Sequence, residues 1–212
     1  MAKVNAHQRY RLKDKTIVVG VTTVTNLLAK PQLVPWANKL GLRGIDVNRF
    51  VDDKASIGTL AHDMILCHFK NEACDTSDYS SKQIDAAENS FLSFLEWEKS
   101  HEIEVTFVEK QLVSEQYRFG GTIDLFGKID GIATLTDFKT GSGIFDEYFI
   151  QVGGGYRQLL NENECNIDRV TILNIPRTED ESFKEETKVD TKDYWEMFYH
   201  LLQIYYLRKG LK

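Results

Sequence analysis

The order of apolar and polar positions along this chain predicts helices first, then a sheet, then helices again. Residues 56–70 and 81–100 carry apolar side chains at helical spacing, the second stretch through Ile84, Ala87, Phe91, Leu92 and Leu95. A polar connection, residues 71–80, joins them. Residues 102–113 alternate as a strand does, residues 145–161 predict a helix, and residues 170–175 a further strand. A charged loop over residues 178–188 then leads to a closing helix over residues 192–209, whose Trp195, Phe198, Leu202 and Tyr205 form an apolar stripe suited to the core. Near the start, residues 17–24 are β-branched and strand-like, while Thr22–Thr25 equally suits the start of a helix running through Asn26 to Ala29. Pro31 and Pro35 interrupt the helical pattern, which resumes at Trp36. There is no internal repeat, low-complexity block or interdomain linker.

Between residues 121 and 139 the pattern is more specific. Two runs rich in Ile, Leu, Phe and Thr flank Asp130-Gly131, the strongest short-range signal for a β-hairpin with a two-residue loop. With that loop, Ile129 faces Ile132, and every cross-strand pair has residue numbers summing to 261. Asp124 and Asp137 therefore fall opposite one another, on one face and with Cβ atoms about 5 Å apart. Lys139, two positions along, shares that face. Facing carboxylates repel, and a hard divalent cation such as Mg²⁺ between them relieves the repulsion, since it takes oxygen ligands from one or two carboxylates, waters and phosphate. The nearby ammonium suits holding a water or neutralising a phosphate. The alternative is a solvated hairpin face on which Asp137 simply pairs with Lys139.

Composition narrows the class. The 212 residues, 42% hydrophobic, suffice for one substantial core. No apolar run approaches the roughly 20 residues that span a membrane, and the first 20 residues lack a signal-peptide hydrophobic stretch. Cys67, Cys74 and Cys165 are odd in number and scattered, which predicts reduced thiols in a cytoplasm-like compartment. The net charge of −6 speaks against a nucleic-acid partner until its distribution is considered. Residues 1–50 hold nine basic residues, among them Lys3, Arg9, Arg11, Lys13 and Lys15, against Asp14 and Asp46; their balance of +7 leaves −13 for the remainder. Either this flank binds a polyanion, or it is a basic tail followed by a solvated helix face.

Taken in order, Ser56-Ile-Gly58-Thr59-Leu-Ala-His62, Glu109, Gly121-Thr-Ile-Asp124, Asp137-Phe138-Lys139-Thr140-Gly141, Gln151 and Tyr156 resemble the PD-(D/E)XK nuclease superfamily. Within it they are most similar to the RecB-type exonuclease branch, which includes phage and mobile-element enzymes. The resemblance covers roughly residues 56–160. It implies an α/β restriction-endonuclease-like core, a mixed sheet flanked by helices, over residues 101–212. Residues 1–100 would form a basic segment and helical elaboration carrying His62, packed into the same compact domain. It also implies a Mg²⁺- or Mn²⁺-dependent deoxyribonuclease, an exonuclease in DNA end processing, recombination or repair. A structure-specific endonuclease or resolvase, or a non-catalytic DNA-binding module of the same fold, are the alternatives.

Carried onto these positions, Asp124, Asp137, the Phe138 carbonyl and His62 would hold the metal, and Lys139 would position the attacking water and steady the phosphate. Glu109 would add a carboxylate, with Glu104 and Glu115 as competitors for that role, and Gln151 would join the catalytic group. DNA would be held by Arg9, Arg11, Lys13, Lys15 and Tyr156, with no membrane involved and with a recombination or replication protein as a further partner. Two departures stand out. The family's Gln and Tyr are four residues apart, whereas Gln151 and Tyr156 are separated by five, about 140° on a regular helix; either the helix is wound wider there or Tyr156 points elsewhere. The three glycines between them, costing on the order of 1 kcal/mol each in a helix, would be compensated by close approach of the backbone to sheet or substrate, or else mark slack at a loop junction. Many RecB-type relatives hold an iron-sulfur cluster on four cysteines; with three, this chain is expected to hold none.

Overall fold

The computed structural model describes residues 9–211; Lys3 lies outside them. Its centre is a mixed sheet of seven strands, flanked by helices on both faces, which is the α/β class expected. β1 (Tyr10–Arg11) and β2 (Ile17–Gly20) form an antiparallel pair, and α1 (Val21–Thr25) follows directly. Residues 17–24 are strand to Gly20 and helix from Val21, and the helix ends at Thr25, so the expected helical run from Asn26 to Ala29 is not formed. α2 (Leu33–Leu42) begins earlier than the resumption at Trp36, because Pro35 lies in its first turn, where a missing N–H is tolerated. α3 (Val47–Lys70) also begins earlier than expected, behind an Asp46 cap that accepts from the Arg49 N–H at 3.0 Å. Its first two turns are mostly exposed and so carry no apolar periodicity. α4 (Ser81–Glu98) starts on a reciprocal cap between Ser80 and Gln83.

β3 (Ile103–Ser114), β4 (Phe119–Ile129) and β5 (Ile132–Lys139) form the centre of the sheet. Asp130 and Gly131 both take the left-handed conformation that a two-residue hairpin turn demands, with φ of 54° and 77°. The expected register holds from Ile129↔Ile132 through Leu125↔Thr136. There β4 and β5 part. β4 then meets β2 in parallel only at Phe119 and Gly120, so residues 121–123 have ladder partners on the β3 side alone. β5 stays paired, parallel, with β6 (Arg169–Asn174) as far as Lys139↔Asn174.

The expected charged loop contains a strand, β7 (Lys184–Lys188), antiparallel to β6 at the sheet edge. Charged edge strands are common because charge discourages further pairing, and that composition hid this one. Its Thr187 hydroxyl meets that of Thr171 at 2.8 Å.

One face of the sheet is covered by α1, by the run α5 (Asp146–Phe149), a π-helical segment (Ile150–Tyr156) and α6 (Arg157–Glu162), and by α7 (Lys192–Gly210). Phe198 and Leu202 of α7 are fully buried there, with Trp195 and Tyr205 packed beside them, as the stripe predicted. Ile65 of α3 and Phe94 and Trp97 of α4 cover the other face, against Leu125, Ile129, Phe138 and Leu173. Ile123 joins the first core and Leu125 the second, so the strand alternation breaks at Asp124, the residue between them. Cys67, Cys74 and Cys165 are not joined in disulfides.

Candidate metal centre

The site forms where β4 and β5 part. The Asp124 carboxylate bridges the break, its Oδ2 accepting from the Phe138 N–H at 2.9 Å in place of a further ladder pair. Asp137, next along β5, is ion-paired with Lys139 Nζ at 2.6 Å. Asp124 is 8% exposed and Asp137 1%. The pairing of Asp137 with Lys139 is realised, but on buried groups and not on a solvated hairpin face.

His62 arrives from α3. Its Nε2 lies 3.1 Å from the Phe138 carbonyl, and its Nδ1 lies 3.2 Å from Glu109 Oε1 and 3.6 Å from Asp124 Oδ2. Such closeness to the strand requires Gly58, one turn earlier, where a Cβ would stand 2.9 Å from the Thr140 hydroxyl. Glu109 comes from β3 in the left-handed region, φ 47°, a conformation that costs a non-glycine residue about 1–3 kcal/mol. The ladder pairs on either side of it, Val108↔Leu125 and Lys110↔Ile123, hold it there. Its two competitors are elsewhere engaged: Glu104 with Lys128 at 3.7 Å, and Glu115 accepting from the Lys13 N–H at 2.8 Å.

Ligand atoms of His62, Glu109 and Asp124 lie within 4.8 Å of one another, with the Phe138 carbonyl beside His62. Asp137 sits with Lys139 and within electrostatic reach of Asp124 and His62. A donor set of carboxylates, one carbonyl and one imidazole fits a hard divalent cation such as Mg²⁺ or Mn²⁺.

Electrostatics agree with concentrated negative charge. Burial alone would lower the His62 imidazole, but Asp124 and then Glu109 outweigh it and push it up to about 9. Burial pushes the Asp137 carboxyl up to about 6 against the pull of Lys139. Asp124 is raised by burial as well, with His62 opposing and Glu109 adding. Burial would lower Lys139, yet Asp137 and Asp124 hold it above its ordinary value, so it remains an ammonium at neutral pH.

Gln151 and Tyr156 meet: Gln151 Nε2 donates to the Tyr156 hydroxyl at 2.8 Å. The π-helical winding of residues 150–156 makes this contact, since it aligns residues five apart. Of the two options for Tyr156, the wider helix is the one realised. The glycines pack against neighbouring helices and not against the sheet. A Cβ on Gly154 would lie 2.5 Å from the Tyr194 carbonyl of α7, and one on Gly155 2.6 Å from Val21 of α1. Tyr156 is buried, its hydroxyl raised well above its usual range by burial, which leaves its ring in the core beside the site rather than on a DNA-facing surface.

Arg9, Arg11, Lys13 and Lys15 are exposed on the β1–β2 hairpin, not on a loose tail. The turn is fixed by Leu12 N–H donating to the Thr16 carbonyl at 3.0 Å. The sequence offered no sign of two further neighbours of the site. Tyr10, from β1, shares a 3.1 Å hydrogen bond with Thr122 and feels Glu109 and Asp124. Tyr148 places its ring centroid 5.2 Å from Lys139 Nζ. Tyr148 precedes Gln151 by three, a helical spacing that marks it in retrospect; Tyr10 is brought in only by strand pairing.

No helix among the described residues is long and apolar enough to cross a membrane. No family model matches the chain, and no curated protein matches it. Among solved structures, one described as "Crystal structure of SSO0001" is similar over 69% of this chain and 71% of that one, at 14% identity and a TM-score of 0.37, too loose a likeness to inform function.

Proposed function

We propose that this protein is a Mg²⁺- or Mn²⁺-dependent deoxyribonuclease of the PD-(D/E)XK type, acting on DNA ends as an exonuclease in a cytoplasmic setting. The observation that carries this reading is convergence: His62, Glu109, Asp124, Asp137 and Lys139, from a helix and three strands, meet at one break in the sheet. A buried surplus of carboxylates is costly unless a cation or a proton neutralises it.

His62, Glu109, Asp124, Asp137 and the Phe138 carbonyl would hold the metal, which when bound supplies Lewis acidity toward a phosphoryl oxygen and lowers the pKa of water. Asp137 orients Lys139 at 2.6 Å, and the neighbouring carboxylates favour its charged form, which supports the role read here. It donates hydrogen bonds to the attacking water and the scissile phosphate and offsets charge developing in the transition state. Gln151, held by Tyr156, presents an amide near the same break.

Purified protein is to be incubated with end-labelled linear and circular DNA under chelator, Mg²⁺ or Mn²⁺. Cleavage confined to linear DNA, absent in chelator and abolished by Asp124→Asn, is the expected result. Full cleavage in chelator overturns the mechanism, and cleavage of circles moves the reading to an endonuclease.

A further inference from the structure

A groove of about 660 Å³ opens beside Lys139, between α2, the start of α3 and the loop that follows β5. Aromatic rings line it in two pairs. Trp36 and Phe50 stand edge to face with centroids 6.1 Å apart on one wall, and Phe145 and Tyr148 do so at 5.5 Å on the other. None of the four is fully buried, and Phe145 is 45% exposed. Aromatic side chains gathered around an open groove indicate a partner with flat apolar faces.

Two observations identify that partner. The first is charge. Of the charged residues lining the groove, Glu181 is neutralised by Arg177, whose Nη2 lies 2.6 Å from its Oε1. Lys54 makes no ion pair among the described residues and rests its ammonium 5.6 Å from the Phe50 ring centroid. The groove therefore offers cation and ring faces without an uncompensated acid, in a chain whose net charge is −6. The second is continuity. Tyr148 belongs both to the groove wall and to the surroundings of Lys139, so one ring separates an occupant of the groove from the Lys139 ammonium, 5.2 Å from its centroid.

We propose that this groove binds the unpaired nucleotides of a single DNA strand, its bases stacking on Trp36, Phe50, Phe145 and Tyr148 while Lys54 meets the backbone phosphate. This deepens the nuclease reading and rests on it for the direction of the strand. Bases in an intact duplex are stacked on one another and cannot reach the rings, so the groove selects an unpaired strand or a frayed end.

The test is binding without chemistry. Fluorescence anisotropy in chelator is measured for a labelled oligothymidylate, an abasic strand of equal length, a blunt duplex and the matching RNA. The parent should bind oligothymidylate more tightly than the abasic strand or the duplex. Trp36→Ala and Phe145→Ala should each weaken oligothymidylate by about fivefold or more while leaving the abasic strand unchanged. Trp36→Phe, which keeps a ring, should retain most of the affinity and exclude a folding defect. Equal affinity for abasic and base-bearing strands, or loss within twofold in both Ala variants, overturns the proposal, as does binding of RNA alone. Because no metal is present, these outcomes are independent of cleavage. Metal-dependent cleavage with unaltered binding in the variants removes the groove and leaves the nuclease; base-dependent binding without cleavage does the reverse.

Discussion

Lys139 and His62 each do two things at once, and those roles separate experimentally. Lys139 neutralises an Asp137 that is 1% exposed, so its removal leaves a buried carboxylate unpaired in the metal-free protein. At saturating metal and DNA that structural debt is relieved, and what remains is the transition-state role. Single-turnover cleavage by Lys139→Ala should then fall by at least about 100-fold with DNA affinity nearly intact, and Lys139→Arg should rescue little, since a planar fork does not replace a compact ammonium. A rate within a few-fold of the parent would remove Lys139 from the chemistry. His62 is held up at about 9, above its ordinary 6.5, by carboxylates that prefer it charged. Its stabilising effect is complete below the unfolded value and is lost as pH rises through the folded one. Metal-free protein should therefore lose on the order of 3 kcal/mol between pH 6.5 and 9, measured by chemical denaturation in chelator, and His62→Gln should flatten that slope. Mn²⁺ affinity should run the opposite way, rising over the same interval as the competing proton leaves.

Among the elements, the π-helical segment is where packing overrides propensity. Residues 150–156 hold three glycines that a free helix would disfavour, yet each admits a neighbouring helix or side chain that a Cβ would exclude. The wider winding in turn brings Gln151 to Tyr156 across five residues. Gly154→Ala should lower stability by about 1–3 kcal/mol, because its Cβ would meet backbone of α7, which cannot swing aside. Gly41→Ala, in α2 with nothing within 4 Å, is the control: it should be neutral or stabilising. Equal melting temperatures for the two variants would show that α7 is loosely seated.

For the whole molecule, charge is divided between surface and site. The β1–β2 hairpin exposes Arg9, Arg11, Lys13 and Lys15 on the far strand of a sheet whose centre holds the buried carboxylates. Replacing those four by Ala should weaken DNA binding and flatten its dependence on salt, since fewer counterions are released. Turnover at saturating DNA should survive. Unchanged affinity and salt slope in a titration from low to moderate salt would make the hairpin an edge of the fold and nothing more.

Wherever the physics is local, the sequence was enough. Asp130-Gly131 accepts positive φ at both turn positions, which set the hairpin register as far as Leu125↔Thr136, one pair short of the expected Asp124–Asp137 pair. Apolar period located α3, α4 and α7, and the Ser56–His62 stretch put His62 on a helix whose Gly58 lets it reach a strand. What the tertiary structure alone decided depends on partners remote in sequence. β7 forms because β6 offers it an edge, although its own composition is that of a loop. Glu109 prevails over Glu104 and Glu115 through a left-handed backbone held by ladder pairs on both sides. Tyr10 joins the site through strand pairing that no local spacing encodes, whereas Tyr148 stands three residues before Gln151 at helical spacing. The break between β4 and β5, which turns two opposed aspartates into a buried site, exists because β2 and β5 claim different ends of one β4 edge.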